Sequence, residues 1–198
     1  MEKRPSVGSQ REYENELIGR DAVWPAELEG IDFTDCTIIG GELRSLRLRR
    51  CRFFDCRFER VDASAADWTD CTLRGVTFYD SKLLGTNWTI LQSLSATRWE
   101  RSNLDGSSFQ ALELEHGEWL ECSARDADFS DCKLKKATFL GCQLDGTSFN
   151  GADLTQADFS RASGLSLQPQ HVRLKGTVIE MDALLRMATE LGLKVAGY

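Results

Sequence analysis

The sequence predicts an all-β solenoid, a chain wound as a four-sided coil with one short helix near its C-terminal end. Three observations carry this. Large apolar residues recur every five positions, which is neither the helical nor the strand period. The residue two places before each of them is mostly small, and side chains twenty places apart are alike. Self-similarity at a fixed period is weighed before local propensity, because it defines a repeat architecture.

The 198 residues fit one domain, and 41% apolar with 28% charged residues is an ordinary soluble composition. No apolar stretch is long enough to span a bilayer, and the opening MEKRPSVGSQREYENE has no apolar run of the kind a secretory signal needs. The expectation is a cytoplasmic protein without a membrane partner. A net charge of −7 argues against direct nucleic-acid binding, which draws on excess Lys and Arg, and permits a basic partner.

Taken in order, residues 1–23 form a lead-in. Tyr13, Ile18 and Val23 keep the five-residue register, but Glu16 and Asp21 fall in the small interior slot, so a disordered start leading into a distorted cap is expected. Residues 24–162 are the coil. One register of repeat centres runs from Leu28 to Trp88, and after one extra residue within Thr89, Ile90 and Leu91 a second runs from Leu94 to Phe159. The insertion, near 89–93, is expected as a bulge, with Ile90 and Leu91 forming a small apolar bump that contacts a partner or covers the bulge.

The slot two places before the centres holds Ala26, Gly41, Ala66, Thr86 and all seven cysteines: Cys36, Cys51, Cys56, Cys71, Cys122, Cys132 and Cys142. Independent reactive or metal-binding thiols would not share one phase. They read as reduced packing residues, and no metal site or cofactor is implied. Two places after a centre stand Gly30, Gly40, Gly75, Gly85, Gly106, Gly141, Gly146 and Gly151, where a tight turn calls for positive φ. No proline interrupts the chain between Pro25 and Pro169, as backbone bonding between successive coils requires.

Centres four repeats apart form columns. One holds Ile38, Phe58, Phe78, Trp99, Trp119, Phe139 and Phe159; the column two sides away holds Leu28, Leu48, Trp68, Trp88, Phe109, Phe129 and Phe149; the other two are mostly aliphatic. The alternation survives the insertion, so the coil is four-sided and stays in phase. Laps about 4.8 Å apart make a rod about 32 Å long with a core of stacked rings.

Residues 163–198 leave the period and form a C-terminal cap. Asp182 could cap a short helix carrying Leu184, Leu185, Ala188 and Leu191 on one stripe, ended by Gly192, and a short strand Leu193–Val195 would follow.

The phrase Ala152-Asp153-Leu154-Thr155-Gln156, repeated as Ala157-Asp158-Phe159-Ser160-Arg161, resembles the pentapeptide-repeat family over about residues 26–162. The resemblance implies a right-handed quadrilateral β-helix. The tail GLSLQPQHVRLKGTVIEMDALLRMATELGLKVAGY and the central GTNWTILQSLSATRW look like the topoisomerase-protecting subgroup, which includes the quinolone-resistance (Qnr), albicidin-resistance and microcin-immunity proteins. That resemblance implies a homodimer of two rods joined end to end by the terminal helix, here through Met181, Leu184, Leu185, Ala188 and Leu191.

Charge is uneven along the coil. Gly40 to Arg60 carries Arg44, Arg47, Arg49, Arg50, Arg52, Arg57 and Arg60, whereas Leu104 to Ser160 is acidic. Rods joined at their C-terminal ends would form a central negative band from Glu113, Glu115, Glu118, Glu121, Asp126, Asp128, Asp131 and Asp145. By the resemblance, this band mimics DNA toward the positively charged DNA-gate saddle of the DNA gyrase A subunit, toward topoisomerase IV, or both, and protects the enzyme from a poison. The rival is a generic β-helical interaction scaffold. Qnr proteins carry two long projecting loops, and this chain has only one extra residue, which points to a natural peptide or polyketide toxin rather than a quinolone. Catalysis is not expected: the histidines are only His116 and His171, there is no nucleophile elbow or phosphate loop, and a filled interior leaves no pocket.

Overall fold

A computed structural model describes residues 6–195. The repeat winds as a right-handed quadrilateral β-helix, and its four faces follow one another in chain order. The first face is a parallel sheet of β1 (Glu12–Glu14), β4 (Asp32–Thr34), β7 (Arg52–Phe54), β9 (Thr72–Arg74) and β11 (Ser93–Ser95). The second is a seven-stranded parallel sheet of β2 (Leu17–Ile18), β5 (Thr37–Ile39), β8 (Arg57–Glu59), β10 (Thr77–Tyr79), β12 (Arg98–Glu100), β13 (Glu118–Leu120) and β14 (Thr138–Leu140). The third is a ladder of single bridges, Glu42 to Asp62 to Lys82 to Asn103 to Ser123 to Gln143. The fourth begins with β3 (Glu27–Glu29) and β6 (Arg47–Arg49) and continues as bridges.

Partners in the ladder lie twenty residues apart before the insertion, as Phe58 with Phe78, and twenty-one apart across it, as Phe78 with Trp99 and Leu73 with Leu94. The insertion is absorbed by a single 3-10 turn, Trp88–Ile90, capped by the Asn87 side chain, which accepts from the Thr89 N–H. The columns therefore stay in phase. Thr89 is exposed, Ile90 is half-buried, and Leu91 is half-buried against the core, covering the bulge.

Every repeat centre from Leu28 to Phe159 is buried. Every centre except Trp88 is followed two residues later by a residue with positive φ. Eight of these corners are the expected glycines, but the others include Asp35, Arg50, Arg60, Ala65, Asp126 and Lys136. The left-handed conformation costs a non-glycine residue about 1–2 kcal/mol. It persists because the N–H of the corner residue bonds the next coil, as from Asp126 to the Asp145 carbonyl at 2.9 Å.

The slot residues do more than fit. The Cys132 thiol donates to the Phe109 carbonyl of the preceding coil at 2.9 Å, and Cys71, Cys142 and Thr147 reach Leu48, Trp119 and Ala124 in the same way. All seven cysteines are free and buried. Burial pushes the thiols of Cys56 and Cys132 up to about 12, as expected of inert packing groups.

Ring columns on opposite faces meet edge to face in the middle of the rod, Phe139 and Phe149 at 5.5 Å and 88°. Within a column the rings stack, Trp119 on Phe139 at 4.6 Å. The interior has no oxygen acceptor for the indole N–H groups of Trp68, Trp88, Trp99 and Trp119, the buried side-chain N or O atoms without a partner among the described residues.

The two ends differ from expectation. At the N-terminal end, β1 and β2 pair with the next coil, Tyr13 stacks on Phe33 at 4.9 Å, and Glu16 and Asp21 are exposed rather than interior. The lead-in is thus ordered from residue 6; residues 1–5 lie outside the described residues. At the C-terminal end the ladder continues past 162. Arg173 bridges Asp153 and Val178 bridges Asp158, because Leu174 and Ile179 stand twenty residues after Leu154 and Phe159.

The helix α1, Met181–Glu190, starts with Glu180 as its cap residue, so Asp182 sits in the first turn instead of capping it. Its buried face is Ala183 and Met187, not the predicted Leu stripe. Gly192 ends it with φ 74°, and the Leu193 N–H bonds the Ala188 carbonyl at 2.8 Å. Leu193–Val195 forms no strand, and residues 196–198 lie outside the described residues. No helix among the described residues is long and apolar enough to cross a membrane.

Candidate interaction surface

With the interior filled, chemistry toward other molecules is left to the exterior, where charge is organised by the twenty-residue lap. In the basic stretch every arginine finds a carboxylate. Arg47 and Arg49 pair with Glu27 at 3.6 and 3.1 Å, Arg44 with Asp62 at 2.6 Å, Arg50 with Glu29, Arg52 with Asp32, and Arg57 and Arg60 with Glu59. Tyr79, half-buried on the second face, is flanked by the guanidinium groups of Arg57 and Arg101 at 4.3 and 4.1 Å from its ring centre. This stretch is a self-neutralised surface.

The eight acids predicted as a band occupy the lap from 113 to 131 and one residue of the next, and they encircle the rod. Glu113 and Glu115 flank Leu114 on the first face, Glu118 lies on the second with Glu121 at the corner after it, and Asp126 and Asp131 hold the corners after the third and fourth faces. Asp128 lies on the fourth face and Asp145 on the third.

Three of the eight are paired: Glu113 with Lys133, Glu118 with Arg98 at 2.8 Å, and Asp145 with Arg125 at 3.5 Å. The Lys133 ammonium, hydrogen-bonded to Glu113, holds its carboxyl below the usual range. Each of these cations stands twenty residues, one lap, from its acid.

Asp128 turns inward on its own backbone, Oδ1 accepting from the Ser130 N–H at 2.9 Å. The same closure recurs at Asp153 with Thr155 and Asp158 with Ser160, and it explains why the repeated phrase places Asp before its centre and Ser or Thr after it. The carboxylates of Asp126 and Asp131 lean over the next coil where a side chain at Gly146 or Gly151 would collide with them. Glu115, Glu121, Asp126 and Asp131 make no ion pair among the described residues, and they are all exposed. They form a negative girdle near the C-terminal half of the rod.

Beyond the girdle, α1 presents Met181, Leu184 and Leu191 outward, 58, 49 and 52% exposed, with Val178 and Leu193 beside them. Leu185 and Ala188 are half-buried. The helix is fastened to the rod by Ala183 and Met187 beneath it and by Arg186, which donates to the Leu165 carbonyl at 3.0 Å and to Asp182 at 2.9 Å.

Two models of one family match the chain, one described as pentapeptide repeats (8 copies) over residues 56–87 and one as a pentapeptide repeat region over residues 92–168. The short gap between them holds the 3-10 turn. Among curated protein sequences none matches significantly. Among solved structures, a trypsin-treated variant of QnrB1, a plasmid-mediated fluoroquinolone resistance protein, superposes with a TM-score of 0.63 at 19% identity, covering 93% of this chain and 97% of that one. A second QnrB1 variant gives 0.50 at 18% identity over 98% and 100% of the two chains. At these identities the likeness is one of fold. The repeat, its lap of twenty residues and both family models place this chain among the pentapeptide-repeat proteins.

Proposed function

We propose that the protein is a DNA mimic that docks on a type II topoisomerase, DNA gyrase or topoisomerase IV, and protects it from a poison. The observation that carries this reading is the charge pairing: the seven arginines from Arg44 to Arg60 are paired with carboxylates, whereas Glu115, Glu121, Asp126 and Asp131 on the distal coils are exposed and have no cation among the described residues. A ring of unpaired carboxylates on a narrow rod complements a cationic saddle shaped for a duplex, and complementary potential also speeds encounter.

The exposed Met181, Leu184 and Leu191 supply the second half of the reading. Two rods joined through this apolar face form a homodimer whose girdles flank the junction, giving a symmetric ligand for a two-fold saddle. Titration into gyrase supercoiling assays, with and without a peptide or polyketide gate poison, tests the function. Restored supercoiling and fewer cleavage complexes are expected. A scaffold of another kind leaves both unchanged. Leu184→Asp is expected to shift the particle from dimer to monomer in sedimentation and to weaken protection.

A further inference from the structure

On the first face the parallel ladder opens at one place. β11 closes its sheet, and bridging resumes only with Glu113 to Lys133. Between the coils that follow, the corresponding bonds are regular: the Phe109 N–H reaches Asp128, Ala111 reaches Ser130, and Asp128 returns to Ser107, at 2.8 to 2.9 Å. Among the described residues no such bond joins the coil of Leu94 and Ala96 to that of Glu113 and Glu115. The second face stays closed over the same two coils, with Trp99 on Trp119 at 4.9 Å. One face of the rod is thus splayed on the lap that follows the inserted residue. A groove of about 300 Å³ fills the splay, floored by Leu94, Leu114 and Trp99 and rimmed by Glu113, Glu115 and Lys133.

We propose that this groove binds an extended peptide segment of a partner, with a small aliphatic residue between two basic ones. Leu94 and Ala96 both present N–H groups that the next coil leaves unanswered, whereas at the other gap, on the fourth face between Trp68 and Asn87, the corner N–H of Asp70 still reaches the Ile90 carbonyl at 3.0 Å; an extended backbone is the ligand that offers matching carbonyls. The size suits a short stretch of chain, as about 300 Å³ is the lower end for ligand sites. Side chains alternate along such a segment. One that points inward meets Leu94 and Leu114, and its neighbours point to the rim, where Glu115 has no cation and Glu113 has only exposed Lys133. The site uses backbone and a fold defect and does not depend on the DNA-mimic reading.

The test uses the whole protein, without any topoisomerase, and three capped pentapeptides, Ala-Arg-Val-Arg-Ala, its N-methyl-valine form and Ala-Glu-Val-Glu-Ala. Amide exchange is measured first. Leu94 and Ala96 are expected to exchange at least tenfold faster than Phe109 and Ala111; equal protection means the ladder is closed and overturns the proposal. The basic peptide is then expected to give saturable amide shifts at Leu94, Ala96 and Glu113. Affinity should fall at least fivefold on N-methylation and on Glu115→Lys, whose native fold is checked by its unchanged ring-packed core signals. Equal binding of the acidic or N-methylated peptide, or shifts spread over the girdle and absent from the groove, overturns it.

Discussion

The coils on either side of the 3-10 turn obey the same repeat and are packed alike inside, and they differ in how their surface charge is arranged. Rings stack closely on both sides, Phe33 on Phe53 at 4.8 Å and Phe58 on Phe78 at 4.9 Å before the turn, Phe109 on Phe129 at 4.6 Å and Phe139 on Phe159 at 4.9 Å after it, while at the turn Phe78 on Trp99 and Trp68 on Trp88 stand 6.4 and 5.9 Å apart. Outside, the two regions differ. The seven arginines from Arg44 to Arg60 pair with carboxylates of their own or a neighbouring lap, while Glu115, Glu121, Asp126 and Asp131 of the C-terminal coils stand exposed without a cation among the described residues. A stack with little room to adjust holds a fixed charge array against its own repulsion, and preorganised charge of this kind favours a complementary partner.

Truncating a ring in the tight region has the largest expected effect. Phe139→Ala removes contacts to Trp119 and Phe159 above and below and to Phe129 and Phe149 across the rod. A loss of about 3–5 kcal/mol is expected, against a smaller loss for Phe78→Ala beside the loose turn. Urea unfolding of the two variants measures the difference, and equal losses would mean that stacking distance is no guide to packing here.

Gly117 sharpens the same point. It occupies a slot that in the next lap is Ala137, yet a Cβ there would lie 2.6 Å from the Trp119 ring. Trp119 cannot retreat, because rings stand on both sides of it at 4.9 and 4.6 Å. Gly117→Ala is expected to cost about 1–3 kcal/mol through overpacking, although alanine is ordinary at this position of the repeat. The midpoint of thermal unfolding reads it.

The exterior half of the contrast is tested by reversing charge in both regions. Glu121→Lys, Asp126→Lys and Asp131→Lys together are expected to weaken gyrase protection at least tenfold, about 1.4 kcal/mol. Arg47→Glu, Arg49→Glu and Arg50→Glu together are expected to change it less than twofold while lowering stability. A larger effect from the arginine set would move the binding surface to the N-terminal coils.

Much of this was legible in the sequence, for a physical reason. A solenoid places like residues over like, so the columns, the slot cysteines and the glycine corners follow from spacing alone. The last lap was not legible because Gly164 and Pro169 stand where apolar centres fall between Phe159 and Leu174, although Leu174 and Ile179 keep the twenty-residue lap. The buried helix face was misjudged because α1 has two apolar stripes, and only the shape of the rod end selects Ala183 and Met187. Of the acidic residues, the sequence showed the excess but not which ones are free. Pairing depends on the lap, as between Arg125 and Asp145, and on the turn chemistry that draws in Asp128. The splay beside Leu94 lies in the backbone and has no residue signature.

That turn chemistry carries the smallest effect. The Thr155 hydroxyl, 2.6 Å from Asp153, does most to hold the Asp153 carboxyl below its ordinary value, with the Thr155 N–H and the charge of Lys135 adding to it. A carboxyl depressed in the folded state contributes stability above its unfolded value of about 3.9, and the contribution is lost as pH falls through the lower folded value. Thr155→Val is therefore expected to cost about 0.5–1 kcal/mol at neutral pH, the range of one side-chain hydrogen bond. The deficit should shrink as the pH drops below about 4. Unfolding of both proteins across that window decides the matter. A deficit independent of pH would assign the loss to the altered side chain's packing, and the repeated Asp-centre-Thr phrase would then owe its recurrence to shape and not to the carboxylate.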